Sequence, residues 1–148
     1  MSHKFTVAGV FSAMDVAASG LTAERGRMNI IASNLANAQT TRSADGGPYR
    51  RLDPVFGSHP VAPGSFDHVL RNVHEVQLQG VKPDMTPGQL VYDPGHPDAN
   101  AAGYVQYPNV NVVTEMVNLM TASRAYEAGV SSIESIKSMA RDAIKIGQ

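Results

Sequence analysis

The sequence contains no cysteine, and all nine of its prolines lie between Pro48 and Pro108. Without cysteine there are no disulfides, no zinc sites built on thiolates and no cysteine nucleophiles. Proline removes a backbone donor and clashes inside a helix, so the two stretches that lack it, 1–47 and 109–148, are free to form long helices. These absences favour a chain with helical ends and an irregular middle.

A long apolar run and an excess of one charge are also missing. Polar residues interrupt the most apolar part of the first stretch, at Asn29, Ser33, Asn34 and Asn37, so we expect no membrane-spanning helix. The 12 basic and 13 acidic residues are mixed along the chain, which leaves no basic stripe for nucleic acid or an anionic membrane. The first residues show no apolar core with a cleavage site, and we expect no cleaved signal peptide.

Both proline-free stretches carry apolar residues at alternating steps of three and four, the spacing of a coiled-coil seam. The seam of the first stretch is Phe11, Met14, Ala18, Leu21, Arg25, Met28, Ala32 and Leu35. The seam of the last stretch is Val112, Met116, Leu119, Ser123, Tyr126, Val130, Ile133, Lys137, Ala140 and Ile144. A second line runs beside it through Gly129, Ser132, Ile136, Met139, Ala143 and Ile146. One partner helix would not cover this much apolar surface, which predicts self-association or co-assembly.

The pattern predicts a mainly α fold with a small β-rich insert. Two terminal helices, about 40 Å and about 50 Å long, are expected to pack as an antiparallel coiled-coil-like core domain. We assign 1–41 and 109–148 to that core domain, and 42–108 to a proline- and glycine-rich middle segment of short strands and loops. The alternative is an ordinary helical hairpin whose seams face only each other. Few large apolar residues in the middle segment could cover the other faces, which disfavours that alternative.

The helix boundaries are predicted from residues whose side chains hydrogen-bond to the nearby backbone. We expect the first helix to run from near Phe11 to between Asn37 and Thr41, where polar residues replace the apolar periodicity. Asn111 is the expected N-cap of the final helix.

The middle segment contains short strand patterns separated by turn residues. We expect a short edge or irregular strand at Tyr49–Phe56, a loop at Gly57–Gly64 and the clearest strand, with a period of two, at His74–Val81. Two further strands are predicted at Leu90–Tyr92 and Tyr104–Tyr107.

No motif for catalysis or cofactor binding is present. The five histidines lack the HExxH spacing of a zinc protease, and the chain has neither a phosphate-binding loop nor a nucleophile elbow. The nearest approach to a metal site is Asp93, His96, Asp98 and Asn100, but these residue types commonly form turns and lack the spacing of an EF-hand. We predict no enzyme activity, cofactor, metal or small-molecule substrate. A metal-dependent enzyme that uses this loop is the weakest alternative.

Several segments resemble a known family. Segments 18–25 (ASGLTAER), 28–37 (MNIIASNLAN) and 40–42 (TTR) resemble the N-terminal signature of the flagellar axial proteins, which include rod, hook and hook-associated subunits. The proximal-rod members of that family are the most similar. The segments that carry this similarity are 46–51 (GGPYRR), 91–100 (VYDPGHPDAN), 103–111 (GYVQYPNVN), 115–120 (EMVNLM), 122–128 (ASRAYEA) and the terminal IGQ. Gly26 and Gly129 depart from the pattern, and each costs about 1 kcal/mol of helix stability relative to alanine.

The resemblance implies a structural subunit of the bacterial flagellar basal-body rod, the drive shaft that carries motor torque to the hook. It also implies export from the cytoplasm by the flagellar type III apparatus, a location in the periplasm, and helical assembly with itself and other rod proteins. The motor base and the surrounding rings would be further partners. From the residues alone, a soluble helical adaptor that forms a closed complex with one partner is the alternative.

We predict that assembly uses both helices. Asn29, Ser33 and Asn37 would line one face, where they are either solvated and cap the helix or bond to a neighbouring subunit. The predicted assembly-interface residues are Phe11, Met14, Ala18, Leu21, Arg25, Met28, Asn29, Ile31, Asn34, Leu35, Asn37, Met116, Leu119, Ser123, Arg124, Tyr126, Val130, Ile133, Lys137, Ala140 and Ile144.

Overall fold

The computed structural model describes residues 7–44, 46–60 and 73–146, and the side chains of 7–11 and 146 are outside that description. Its elements, in chain order, are α1 (Val7–Ala36), β1 (Leu52–Pro60), β2 (His74–Pro83), β3 (Leu90–Tyr92), β4 (Tyr104–Gln106) and α2 (Val112–Ile146). The strands form two small sheets, one from β1 and β2 and one from β3 and β4. Two terminal helices around a β-containing middle are therefore confirmed.

Helix α1 starts earlier than the sequence predicted and ends as expected. It begins at Val7 rather than near Phe11, because no proline interrupts this stretch. After Ala36, the side-chain amide of Asn37 donates to the carbonyl of Ser33 at 2.9 Å, and the Thr40 hydroxyl donates to Asn37 Oδ1 at 3.2 Å. The Ser33 carbonyl also accepts the backbone N–H of Asn37 at 3.1 Å, so Asn37 bonds twice to the last turn of the helix.

Helix α2 starts at the predicted cap. Asn111 Oδ1 accepts the backbone N–H of Thr114 at 3.1 Å, so the expected N-cap is confirmed. The backbone N–H of Glu115 donates to the Asn111 carbonyl at 3.0 Å. The first turn therefore holds Glu115 in a fixed position.

Strand β1 extends beyond its predicted end. Gly57–Pro60 belongs to β1, so the prediction of a loop from Gly57 is wrong there, while residues 61–64 lie outside the described residues. Pairing with β2 explains the difference, since a Cβ on Gly57 would lie 2.0 Å from Nε2 of Gln79 in β2. In the sequence Gly57 is a loop signal, but in the fold it is a strand residue whose lack of a Cβ leaves room for the Gln79 side chain.

Strands β3 and β4 form an antiparallel pair in which Val91 lies opposite Val105. The predicted strand Leu90–Tyr92 is confirmed, and β4 ends one residue before the predicted boundary. The backbone before β3 approaches the backbone after β4 closely. A Cβ on Gly88 would lie 1.8 Å from the carbonyl oxygen of Tyr107. Only glycine fits at this approach.

The chain forms two compact units. Unit 1 contains Met1–Gly26, Phe56–Gln79 and Ala122–Gln148, and unit 2 contains Arg27–Val55 and Gly80–Thr121. Among the described residues, the buried apolar side chains are Ala23 and Ala122 in unit 1, and Ile30, Ile31, Val105 and Pro108 in unit 2. These cores are small, so polar contacts have a large share in fixing the fold.

Candidate functional site

In unit 1 the two helices contact each other through Leu21 and Arg25 of α1 and through Gly129 and Tyr126 of α2. A Cβ on Gly129 of α2 would lie 2.7 Å from Cδ2 of Leu21 on α1. Four residues further along α1, the guanidinium of Arg25 donates to the hydroxyl of Tyr126 at 3.3 Å. Residue numbers rise along α1 while they fall along α2, so the helices run antiparallel at this contact.

A groove of about 370 Å³ opens beside this contact, within unit 1. Its helical walls are formed by Leu21 together with the small residues Ala17, Gly20, Ala23, Ala125, Gly129 and Ser132. Phe56 and Val76 also line it and remain 39% and 40% exposed. Glu24 adds one carboxylate. This unit 1 groove is mainly apolar and open to solvent, and both small and large side chains line it.

The half-buried side of α2 differs in register from the predicted seam. Leu119, Tyr126, Ile133 and Ala140 of that seam are half-buried, as is Ser123. The remaining seam positions are exposed, namely Val112, Met116, Val130, Lys137 and Ile144. Their neighbours Glu115, Ala122, Gly129 and Ile136 are the better covered residues. The predicted seam and the line of better covered residues share every second position and differ by one residue at the others. The sequence did not reveal the covered line because alanine, glycine and glutamate do not stand out in an apolar pattern.

The predicted interface residues of α1 fall into three groups. Ile31 and Asn34 are buried, and Met14, Leu21, Met28, Leu35 and Asn37 are half-buried. Ala18, Arg25 and Asn29 are exposed, and the side chain of Phe11 lies outside the described residues. Ala18 and Asn29 are accessible to a partner, whereas Arg25 already donates a hydrogen bond to Tyr126.

Asn34 is the centre of a buried polar network in unit 2, and its side chain is 1% exposed. Its amide group donates to the Leu52 carbonyl at 2.9 Å and to Glu115 Oε2 at 3.1 Å. Its Oδ1 accepts the backbone N–H of Leu52 at 2.9 Å and the Tyr49 hydroxyl at 3.0 Å. Every hydrogen-bonding position of this amide is used within the chain. A role for Asn34 between subunits would require this network to open.

Arg51 completes the network around the carboxylate of Glu115, which is fully buried. Arg51 Nε donates to Glu115 Oε1 at 2.8 Å, and its Nη1 pairs with Asp53. The pKa of Arg51 is raised from its ordinary value. Burial lowers it, but the hydrogen bond with Glu115 and the charges of Glu115 and Asp53 outweigh burial. We call Asn34, Tyr49, Arg51 and Glu115 the polar lock, since they join the end of α1, the start of β1 and the first turn of α2.

Asn109 extends the lock towards the end of β2. Its Oδ1 accepts the backbone N–H of Arg51 at 2.9 Å, and its amide donates to the Asp84 carbonyl at 3.2 Å and to Thr86 Oγ1 at 3.0 Å. The pKa of Asp84 is lowered, first by the backbone N–H of Thr86 and then by the Thr86 hydroxyl, which both donate to its carboxylate. These contacts fix the segment that precedes α2.

The first half of α2 presents an exposed apolar stripe in unit 2. Val113, Met116, Val117 and Met120 are between 54% and 72% exposed and recur at helical spacing. We call these four residues the α2 stripe. Only Met116 of these four is among the predicted assembly-interface residues. The other three, Val113, Val117 and Met120, lie at positions i, i+4 and i+7. This helical spacing of apolar residues could have identified them from the sequence.

The side chains of Asp93, His96 and Asn100, which are the nearest approach to a metal site in the sequence, make turn hydrogen bonds instead. Asp93 Oδ1 accepts the backbone N–H of Gly95, His96 Nδ1 accepts that of Asp98, and Asn100 Oδ1 accepts those of Ala102 and Tyr104. Within the described ranges no group of three or more histidine, aspartate and glutamate side chains is placed to hold a metal ion. Over the same residues, neither helix is apolar enough along a sufficient length to cross a bilayer.

Known proteins match this chain along most of its length. Residues 14–42 match the family model described as flagella basal body rod protein, and residues 101–146 match that of the flagellar basal body rod FlgEFG protein C-terminal region. The flagellar basal-body rod protein FlgC of Borreliella burgdorferi is 44% identical, with 95% of this chain and 99% of the relative covered. The chain belongs to the flagellar basal-body rod protein family.

Further FlgC proteins match this member of the rod family at similar levels. FlgC of Escherichia coli O6:H1 is 44% identical, over 90% of this chain and 95% of the relative. FlgC of Bacillus subtilis is 39% identical, over 93% of this chain and 98% of the relative. The chain is a structural protein of the flagellar basal-body rod and not an enzyme. The matched segments contain Asn34 and Glu115, two members of the polar lock.

Proposed function

We propose that this rod protein packs its terminal helices with those of sister subunits into the wall of the proximal rod, and that the assembled rod transmits motor torque to the hook. The observation that carries the proposal is the exposed apolar surface on α2 of a chain that belongs to the rod family. Val113, Met116, Val117, Met120 and Ile144 each remain more than half exposed. Such side chains gain free energy when a neighbouring subunit covers them.

The core domain of this proposal consists of 1–41 and 109–148, and 42–108 forms the middle segment. Its two helices would pack in a coiled-coil-like manner. The antiparallel contact of Leu21 and Arg25 with Gly129 and Tyr126 supports that arrangement. Predicted interface residues that are exposed are the ones that can meet another subunit, and they are Ala18, Arg25, Asn29, Met116, Arg124, Val130, Lys137 and Ile144.

The polar lock gives the proposed subunit stiffness where the helices meet the middle segment. Torque applied to a helix reaches the rest of the subunit through contacts that resist displacement. In unit 2 these contacts are directional hydrogen bonds and a buried ion pair between Arg51 and Glu115, with Asn34 bonded to both Leu52 and Glu115. Small displacements of the bonded residues would break these hydrogen bonds, so the polar lock favours one placement of the segments that it joins.

We further propose that the chain leaves the cytoplasm through the flagellar type III export apparatus without a cleaved signal peptide and lies in the periplasm. Its partners would then be itself, other rod proteins, the motor base and the surrounding rings. The resemblance of the N-terminal segment to the axial proteins supports this route. A chain without cysteine also folds in the same way in reducing and oxidising compartments.

Complementation of bacteria that lack their own copy of this gene tests the proposal. The intact chain should restore swimming and should be recovered in purified basal bodies. Ile144→Asp replaces an apolar side chain that is 66% exposed with a charged one. We expect it to abolish swimming while leaving the isolated chain folded, because the charge would be buried without a partner only in the assembled rod. Ser138→Asp, at an exposed polar position of the same helix, is the matched control and should swim normally.

Two results would contradict the proposal. One is the absence of the intact chain from the basal bodies of swimming cells. The other is normal swimming of the Ile144→Asp strain together with normal incorporation of the variant into the rod. Circular dichroism of the purified variant separates a failure of assembly from a failure of folding.

A further inference from the structure

We infer that His96 is a proton-dependent latch within unit 2. While its ring is neutral, it holds the loop between β3 and β4 against the segment that follows α1, and when the ring is protonated the loop is released. The inference goes beyond the proposed rod function, because it concerns a change within one chain and can be tested on the isolated protein.

The loop between β3 and β4 contains three turns of the same kind, and only the middle one depends on a histidine. In each turn a side chain accepts the backbone N–H two residues further on. The carboxylate of Asp93 and the amide oxygen of Asn100 keep a lone pair for this bond whether or not a proton is added. An imidazole nitrogen accepts only while it carries no proton. The three bonds are Gly95 N–H to Asp93 Oδ1 at 3.1 Å, Asp98 N–H to His96 Nδ1 at 3.1 Å and Ala102 N–H to Asn100 Oδ1 at 2.9 Å.

The residue that His96 holds is the anchor of the loop. Asp98 Oδ2 accepts the hydroxyl of Thr41 at 2.8 Å, and Asp98 Oδ1 lies 3.8 Å from Nη1 of Arg42. Asp98 is therefore joined to His96 through its backbone and to the segment after α1 through its carboxylate. A change at His96 Nδ1 reaches Thr41 through this one residue.

Protonation of the ring removes the acceptor and creates a cation in the same place. Nδ1 then carries an N–H that faces the N–H of Asp98, so the turn bond is lost. The Asp98 carboxylate attracts the imidazolium, and this attraction competes with its bond to Thr41. Histidine suits such a change, because it is the side chain that changes charge between about pH 5 and pH 8. The charged and titratable groups around the ring, from the loop, the segment after α1 and the residue after β4, are Asp93, Asp98, Arg42 and Tyr107.

The latch spans a cleft of about 480 Å³ within unit 2. Thr41 and Arg42 line the cleft from the segment after α1, and Asp98 and Asn100 line it from the loop. The bond between Thr41 and Asp98 joins the two sides, so its loss lets them separate. Release of the latch therefore widens the cleft and leaves the Arg42 guanidinium without its carboxylate.

NMR spectroscopy of the full chain in dilute solution tests the latch. Long-range correlation of ring protons and nitrogens should show the neutral His96 ring with its proton on Nε2 and none on Nδ1. The protection of the Asp98 amide is its exchange rate relative to an unstructured peptide at the same pH. This protection should fall by roughly fivefold or more as the ring is protonated, the effect of losing one hydrogen bond. The amide signal of Thr41 should shift with the same midpoint as the His96 ring.

The variant His96→Asn is the matched test of the proton dependence. An asparagine Oδ1 can accept the same N–H, as Asn100 does in the third turn, but it does not titrate. Protection of the Asp98 amide in this variant should equal that of the native chain with a neutral ring and should stay constant as the pH falls. The control variant His74→Asn removes an exposed histidine at the start of β2 and should keep the full pH effect.

Several results would overturn the inference. A neutral His96 ring with its proton on Nδ1 could not accept the Asp98 N–H. A ring that stays neutral down to about pH 5, or an Asp98 amide whose protection does not follow the ring, would exclude a proton-dependent latch. The same loss of protection in His96→Asn would assign the effect to another group. Incorporation into basal bodies is a separate measurement, so each of these results would leave the proposed rod function intact.

Discussion

Replacement of Asn34 by alanine is the most direct test of the polar lock. The substitution removes four hydrogen bonds, to the N–H and carbonyl of Leu52, to the Tyr49 hydroxyl and to Glu115. Each intramolecular hydrogen bond contributes about 1 kcal/mol net, and each buried group left without a partner costs about 1–3 kcal/mol. We therefore expect Asn34→Ala to lower the free energy of unfolding by about 3–5 kcal/mol. This is a large part of the stability of a small domain.

The matched control is Asn29→Ala. Asn29 lies on the same helix but is exposed, so its replacement should change the free energy of unfolding by less than about 0.5 kcal/mol. Urea titration followed by circular dichroism measures both variants, and hydrogen exchange of the Leu52 amide reports on the lock locally. Equal stability of the two variants, with unchanged protection of the Leu52 amide, would refute the reasoning.

The double variant Asn34→Ala/Glu115→Ala extends the test. Asn34 and Glu115 share a hydrogen bond of 3.1 Å, so their effects on stability should not add. Contacting residues in one network show coupling free energies of about 0.5–3 kcal/mol. Coupling indistinguishable from zero would mean that the two side chains act independently, in conflict with the geometry of the lock.

Three further results are expected. Gly88→Ala should destabilise the chain by about 2 kcal/mol or more in urea titration, because its Cβ would collide with backbone, whereas Gly80→Ala, where a Cβ meets nothing within 4 Å, should be nearly neutral. Asp84 has a lowered pKa in the folded chain, so its stabilising contribution should be complete above pH 3.8 and be lost as the pH falls through the folded value. A carboxyl NMR titration midpoint at or above 3.8 would contradict this. In a dilute monomer, the amides of 28–36 should exchange more slowly than those of 12–22, as measured by mass spectrometry, because Ile30, Ile31 and Asn34 are buried there; uniform exchange along α1 would speak against it.

Local signals in the sequence were sufficient for the helices, for β3 and for the cap at Asn111. Each depends on residues close together in the chain, as in the hydrogen bond from Thr114 to Asn111. The end of β1 could not be predicted in this way. Its extension depends on the Gln79 side chain crossing Gly57, a pairing between residues that only the folded chain brings together.

The polar lock was missed for the same physical reason. Asn34 and Glu115 are separated by 81 positions in sequence, and each has an ordinary local interpretation. Asn34 is one of several polar interruptions in a helix, and Glu115 is an acidic residue in a first helical turn. Their burial could be inferred only from the position of Arg51, which supplies the charge that a buried carboxylate requires.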